Sequence, residues 1–139
     1  MRSRLEAYLA GEFTIPANDA FGFAVRPDDD PKQGVSVSWQ VTQEFCNSAG
    51  NLQGGILAAF ADSALGAACA AYLPEDVYPA LAEMKISFLR PAHSGSTIHA
   101  TARVLKPGKR LLFVEADITD DTGNLLAKVT GTEIPASAS

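Results

Sequence analysis

The sequence predicts an α+β domain in which a curved antiparallel sheet wraps one long central helix. Three observations carry this. From Gly55 to about Leu73 the chain is alanine-rich and apolar on every side, and a helix of that kind is buried rather than laid on a surface. The four segments after it alternate apolar and polar residues and are joined mostly by short turns, the pattern of an antiparallel meander. Such a sheet needs a cover for its apolar face, and the central helix is the segment available to supply it.

Taken in order, residues 1–10 read as a short amphipathic helix stopped by Gly11. Pro16 and Asn18 mark a turn, and Phe21, Phe23 and Val25 alternate as a short strand or edge segment. Asp28-Asp29-Asp30-Pro31 is a solvated acidic turn. Val35 to Val41 alternates strictly, with Val35, Val37, Trp39 and Val41 on one face. A polar, glycine-bearing loop from Asn47 leads into the helix, after which Pro74 and Pro79 bracket a turn. A strand from about Leu81 to Leu89 places Met84, Ile86 and Phe88 on one face, and Arg90 to Gly95 breaks it. Thr97 to Leu105, Leu111 to Thr119 and Leu125 to Ile134 are the remaining strands, separated by the turns Lys106-Pro107-Gly108-Lys109 and Asp120 to Asn124. The tail, Pro135 to Ser139, is expected to be loose. There is no internal repeat or linker, so residues 1–139 form one domain with its core at about 20–134.

With 139 residues, 47% hydrophobic and 19% charged, the chain is long and apolar enough for a real core. The net charge of −5 argues against a general nucleic-acid binder. It leaves room for an anionic small ligand held by a few local cations. The N-terminus lacks the apolar core of a signal peptide, and the strands after the helix favour a soluble core helix over a membrane span, so a cytoplasmic location is expected. Cys46 and Cys69 read as reduced thiols. No spacing points to a metal or a redox cofactor.

One residue does not fit its surroundings. Between Glu44 and Glu75, cysteine and tyrosine aside, Asp62 is the one ionisable acid or base. A lone carboxylate in an apolar helix is costly unless paired, hydrogen-bonded or wetted by a cleft.

The stretch Asn47 to Gly66, with Gln53-Gly54-Gly55 and Asp62, followed by Phe88-Leu89-Arg90-Pro91 and Gly123 to Ala127, resembles the hotdog-fold acyl-CoA thioesterases of the phenylacetate-degradation (PaaI-like) type. The resemblance covers roughly residues 35 to 134. It implies hydrolysis of a medium-chain or aromatic acyl-CoA, with no cofactor. The backbone N–H of Gly54 would polarise the thioester carbonyl, and Asp62 would act as nucleophile or as general base. Asn47 would orient water or the carboxylate, with Asn51 a weaker candidate. Many relatives have His-Gly-Gly where this chain has Gln53-Gly54-Gly55, and Gln53 does not change charge near neutral pH. A non-catalytic acyl-CoA-binding module is the alternative. The absence of a histidine on the helix or its loop argues against the hotdog dehydratases; His93 and His99 are expected in surface or packing roles.

For binding, Gly55 and Ser63 border the expected cleft, and Phe60, Leu57 and Met84 are expected to line the acyl pocket. Arg90, Lys106, Lys109 and Arg110 are candidate phosphate partners for CoA. Geometry adds a constraint of its own. Gly54 and Asp62 are eight residues apart, so on one helix they are about 12 Å apart along the axis. One thioester carbon does not reach both, so a joint role requires two chains. A homodimer with shared sites is therefore expected, and the family implies that dimers can pair into tetramers.

Overall fold

The computed structural model describes residues 2–138, so Met1 of the expected first helix and Ser139 of the expected tail lie outside the described residues. Six strands, β1 (Ala24–Pro27), β2 (Val35–Gln40), β3 (Val77–Phe88), β4 (Thr97–Lys106), β5 (Leu112–Asp120) and β6 (Leu125–Ser137), form one antiparallel sheet in the order β1-β2-β4-β5-β6-β3. Helix α3 (Gly54–Ala70) packs against β2 through β6. Among the described residues, no helix is long and apolar enough to cross a membrane.

The expected meander holds only for β4, β5 and β6. β3 does not pair with β4; it lies at the far edge beside β6, while β4 pairs with β2 from Val35↔Ala102 to Gln40↔Thr97. The connection from Leu89 to Ser96 is too long for a tight hairpin and carries the chain across the sheet. An edge position explains why Pro79 sits inside β3 rather than in a turn before it, because a residue without an N–H is tolerated where one side is unpaired. The long β3 also orders the tail. Val77 pairs with Ser137, and the Ala138 N–H donates to the Asp76 carbonyl at 2.9 Å, so residues 135–138 are held rather than loose.

The core forms where the sheet meets α3. Val35, Val37 and Trp39 of β2 are buried, as their alternation predicts, with Ile98, Ala100 and Ala102 of β4 and Val114, Ala116 and Ile118 of β5. Leu57, Phe60, Ala61, Ala64, Leu65, Ala68 and Cys69 of α3 fill the other side. Contact is close at Gly131, where a Cβ would meet Leu65 Cδ1 at 2.7 Å and the Glu83 carbonyl oxygen at 3.2 Å.

Two short helices close the remaining side. Ser3 caps α1 (Arg4–Leu9) by accepting from the Glu6 N–H, and the Arg4 N–H donates to the Leu73 carbonyl at 2.8 Å, tying α1 to the chain just beyond α3. The expected turn at Pro16 and Asn18 is instead helix α2 (Pro16–Phe21), started by proline in its first turn and ended by Gly22 at φ 86°. The alternation of Phe21, Phe23 and Val25 therefore marks no single strand, and of the three only Val25 lies in β1. The two phenylalanines are spaced to join an aromatic cluster. Phe21 stacks on Phe23 at 4.9 Å, and Phe23 meets Trp39 and Phe60 edge-on at 5.2 and 5.3 Å.

Replacing Gly131 with valine should lower the unfolding free energy by about 1–3 kcal/mol, the usual cost of overpacking a filled core. Urea denaturation reads this directly. An unchanged midpoint would mean that α3 does not rest on β6 at this point.

Candidate active site

The N-terminus of α3 is built by a pinned loop. Asn47 Oδ1 accepts from the N–H groups of Ala49 and Asn51, at 3.0 and 3.2 Å, and Gly50 takes the left-handed conformation the turn requires, φ 79°. The Leu52 N–H donates to the Ala92 carbonyl at 2.8 Å, and the Gln53 N–H donates to the Phe45 carbonyl at 3.1 Å. Gln53 is the extended residue before the helix, and its side chain makes no capping bond. Its carbonyl accepts from Ile56 and Leu57 at 3.0 and 3.1 Å. The N–H groups of Gly54 and Gly55 find no acceptor among the described residues, and both glycines are exposed. They lie at the positive end of the helix, free to receive a developing negative charge. The Phe88 ring lies 3.4 Å from where a Gly54 Cβ would be.

Asp62 sits two turns further along α3, exposed, and borders a half-open cavity of about 330 Å³ lined by residues of α1, α2, α3 and the start of β3. The walls include the rings of Tyr8, Phe13, Phe21, Phe23 and Tyr78, with Ala59, Gly66 and Ala67 leaving the space open. Among the described residues nothing donates a hydrogen bond to the Asp62 carboxyl. It is open to the cavity yet backed by protein, and this desolvation raises its pKa. Ser63 Oγ donates to Asn18 Oδ1 at 2.8 Å, and Asn18 Nδ2 donates to the Tyr8 hydroxyl at 3.3 Å. Ser63 borders the same cavity, but its hydroxyl proton is committed to buried Asn18.

A second acid lies behind the cavity wall. Glu133 of β6 is 1% exposed, and neither carboxyl oxygen has a hydrogen-bond partner. Desolvation first, and the Asp62 charge second, push its pKa up to about 7. The sequence reading singles out neither Glu133 nor Asn18 and Tyr8. For Glu133 the signal lies in β6, where Ala127, Val129, Gly131 and Glu133 alternate on the face turned toward α3. An acid ending an apolar stripe is the same misfit that marks Asp62.

Other expected positions fall differently. Phe60 is 0% exposed and belongs to the aromatic core, Leu57 is buried, and Met84 packs on the core from β3; none of the three lines the cavity. Phe60 packs with Phe23 and Trp39 in the aromatic core, and that cavity is walled instead by rings from the N-terminal part of the chain. Asn47 spends its carbonyl oxygen on the loop turn. Arg90 donates to the Leu125 carbonyl at 2.8 Å, at the end of the sheet where Phe88 touches Gly54. Lys106, Lys109 and Arg110 cluster at the β4–β5 hairpin, toward the opposite end, exposed and without an ion-pair partner among the described residues.

The histidines stay outside the cavity. His93 Nδ1 lies 2.8 Å from Asn51 Oδ1 and braces the loop before Gln53. His99 on β4 stands between Ser38 Oγ at 3.0 Å and Asp121 Oδ1 at 2.7 Å. That order of residue types matches a nucleophilic triad, but the cavity does not reach it and the three side chains act as a cross-strand strut.

Comparison with known proteins bears on this geometry. The profile of the Thioesterase superfamily matches residues 49–127, which span the loop, α3 and most of the sheet. The chain is 35% identical over 130 residues to mouse acyl-coenzyme A thioesterase 13, covering 92% of this chain and 91% of that protein. Among solved structures it is similar to a putative thioesterase of Ralstonia eutropha JMP134 described as phenylacetic acid degradation-related, with TM-score 0.85 and 28% identity over 94% of this chain and 98% of that one. The Escherichia coli PaaI protein shares the fold, with TM-score 0.84 and 24% identity over 96% of this chain and 94% of that one.

Glu133 makes a prediction about pH. The folded protein keeps on this group a proton that the unfolded chain releases above its ordinary value of 4.5, and it gives that proton up only at about 7. Stability should therefore fall as pH rises across that interval, by on the order of 3 kcal/mol, and then level off. The raised pKa of Asp62 acts in the same direction. Denaturation midpoints measured from about pH 5 to about pH 8 should show the decline in the wild type and a much flatter line in Glu133→Gln. A flat wild-type line would count against the buried acid.

Proposed function

The chain belongs to the thioesterase superfamily, and on that premise we propose that it hydrolyses acyl-CoA thioesters carrying an aromatic or medium-chain acyl group, at sites shared between two copies of the chain. Its sheet-wrapped helix is the hotdog fold, and its chemistry is that of a thioester hydrolase. The observation that carries the reading is that two unsatisfied N–H groups and an unpaired carboxyl are built into one buried helix, with the carboxyl opening onto an aromatic-walled cavity.

In the proposed reaction the acyl group occupies that cavity, which suits a flat or extended apolar group. The thioester oxygen lies at the Gly54 N–H, with Gly55 beside it, where charge builds as the carbonyl carbon becomes tetrahedral. Asp62 of the opposing chain either takes a proton from water as the water attacks, or attacks the carbonyl itself to give a mixed anhydride that water then opens. Both routes end in the free acid and CoA as its thiol. Asn47 keeps its amide nitrogen for the attacking water, and Gln53 offers an amide at the rim that stays uncharged at all working pH values.

Two features support the second chain. One is the helical distance of about 12 Å between Gly54 and Asp62. The other is the edge strand β3, which leaves Tyr78, Leu81 and Phe88, and Leu89 just beyond it, exposed. With two helices antiparallel across a two-fold axis, the Gly54 end of one chain faces the Asp62 half of the other. Arg90 of one chain then joins Lys106, Lys109 and Arg110 of the other on the same side, a cationic setting for the phosphates of CoA in an otherwise acidic protein. Pairing of dimers into tetramers belongs to the same proposal.

The test is release of CoA thiol from acetyl-, octanoyl- and phenylacetyl-CoA. Asp62→Asn should lose at least about a hundredfold in kcat. Gly54→Pro removes the N–H while keeping the helix start, since Gln53 already has the extended conformation (φ −65°, ψ 138°) that precedes proline, and it should lose about a hundredfold or more. Mixed and reassembled, the two inactive variants should recover roughly a quarter of wild-type activity if each site takes one residue from each chain. No recovery from a confirmed mixed dimer would sink the shared site. Wild type that turns over none of the esters, yet melts higher when one is added, would make the protein an acyl-CoA-binding module instead.

A further inference from the structure

The thioesterase reading uses Asp62 and leaves Glu133 without a task, although no other described side chain combines so complete a burial with two unpartnered oxygens. Its place in the fold is specific. Gly66 is one helical turn beyond Asp62, on the same side of α3, and borders the cavity. A Cβ built on Gly66 would lie 4.0 Å from Glu133 Oε1 and 3.9 Å from Pro79 Cγ. The acid therefore lies just behind Gly66, a residue of the cavity wall. Buried carboxyl groups in proteins are as a rule hydrogen-bonded, so an orphan this close to another acid needs a physical account.

We propose that Glu133 is a positioning residue for Asp62: from behind Gly66 it shares negative charge with Asp62 and sets how readily Asp62 takes up a proton. Two neighbouring carboxyl groups resist ionising together, and here Glu133 is buried while Asp62 is exposed. With Glu133 protonated, Asp62 alone carries the charge. When Glu133 ionises, its charge makes Asp62 more basic, which strengthens Asp62 in either role, as base toward water or as nucleophile toward the carbonyl. No bond to Glu133 forms or breaks, and its proton exchanges with solvent.

Among the acids and thiols that face Glu133, Asp62 is the partner; the cation lining the cavity, Arg4 of α1, lies over the Phe13 ring and donates to the Glu75 carbonyl. From α3, the titratable groups facing Glu133 are Asp62 and Cys69, and burial, with Glu133 adding to it, holds the Cys69 thiol protonated. The neighbours across the sheet are Leu81 on β3 and Leu112 on β5, which do not titrate. Glu83 is on the other side of the sheet, where Thr132 Oγ1 donates to its Oε1 at 3.1 Å.

This inference rests on the proposed role of Asp62, and the experiment separates the two. Thermal stability is recorded against pH for wild type, Asp62→Asn, Glu133→Gln and the double variant, and kcat against pH for wild type and Glu133→Gln. The wild-type stability decline, much flatter in Glu133→Gln and absent from the double variant, reports chiefly the Glu133 proton. In Asp62→Asn its midpoint should move down by about half a pH unit or more, a threefold or larger change in proton affinity. The wild-type kcat profile should rise through the same midpoint, and Glu133→Gln should lack that rise while remaining active. A midpoint unmoved by Asp62→Asn overturns the proposal, as does a Glu133→Gln profile that superimposes on wild type. Should no variant turn over any acyl-CoA while the midpoint still shifts, the carboxyl pair stands and the thioesterase assignment falls.

Discussion

Helix α3 is clamped by the burial of Leu57, Phe60, Ala61, Ala64, Leu65, Ala68 and Cys69 against five strands, and everything at the candidate site depends on that clamp. A helix gripped in this way neither slides nor rotates without opening the core. Its first turn therefore stays at the Phe88 end of the sheet, and Gly66 stays beside Pro79 and Glu133. The small residues of the helix serve the same end. Alanine and glycine allow the backbone to come close to the strands, so position is held by close contact rather than by long side chains that could shift between rotamers. A rigid spacing between a donor end and an acid is useful for catalysis only if a second body completes each site. The same packing that stabilises the chain thus makes a single copy insufficient for the proposed chemistry.

The electrostatic arrangement departs from what stability alone favours. A buried acid without a hydrogen bond is destabilising, and the Asp62 charge adds to the cost at Glu133. Glutamine or leucine at position 133 would relieve it. Elsewhere the protein satisfies its polar groups carefully. Asp120 gathers Thr122 and Asn124 in its turn, Trp39 Nε1 donates to the Phe21 carbonyl, and Asn18 is held between Tyr8 and Ser63. Against that background the two unsatisfied groups that stand out, the N–H pair of Gly54 and Gly55 and the carboxyl pair of Asp62 and Glu133, both belong to α3 or lie directly against it. Unspent hydrogen-bonding capacity concentrated on one element is what a reaction site requires and a purely structural helix does not.

Much of this is legible in the sequence, and the illegible remainder has physical causes. Asp62 is readable because its neighbours are uniformly apolar, and the Gly54 turn because glycine pairs before an apolar run have few other uses. The strands are readable from alternation, but their order is not. A period of two says which face a residue takes and nothing about which strand lies alongside, so β3 is found at the edge only when the Leu89 to Ser96 crossing is seen. Glu133 is hidden because Gly131 leaves the apolar stripe without a side chain just before the acid, which then reads as part of a polar strand end. Phe60 is less legible. An aromatic near the acid suggests a pocket wall, whereas two residues along the helix, about 200° of rotation, carry Phe60 into the core and leave the cavity to residues that include those of α1 and α2, whose local patterns are too short to declare themselves.

The edge strand brings these threads together. β3 is twelve residues long and unpaired on its outer side, the kind of edge that invites another strand. Only part of it is defended. Pro79 interrupts donors near its start, and Glu83 and Lys85 place charge at its middle. Its far end is bare, with Phe88 58% exposed beside Gly54 and Leu89 following it. An apolar side chain left open next to the free N–H groups is a poor choice for a monomer, since it offers an aggregation surface where water must also be controlled. In the proposed dimer the same exposure has a use. Association through this region covers Phe88, removes water from the Gly54 donors and brings the partner's acid toward them. A low-dielectric surround strengthens the N–H contacts to a developing oxyanion, so the contact that closes the edge also improves the donors that the site depends on.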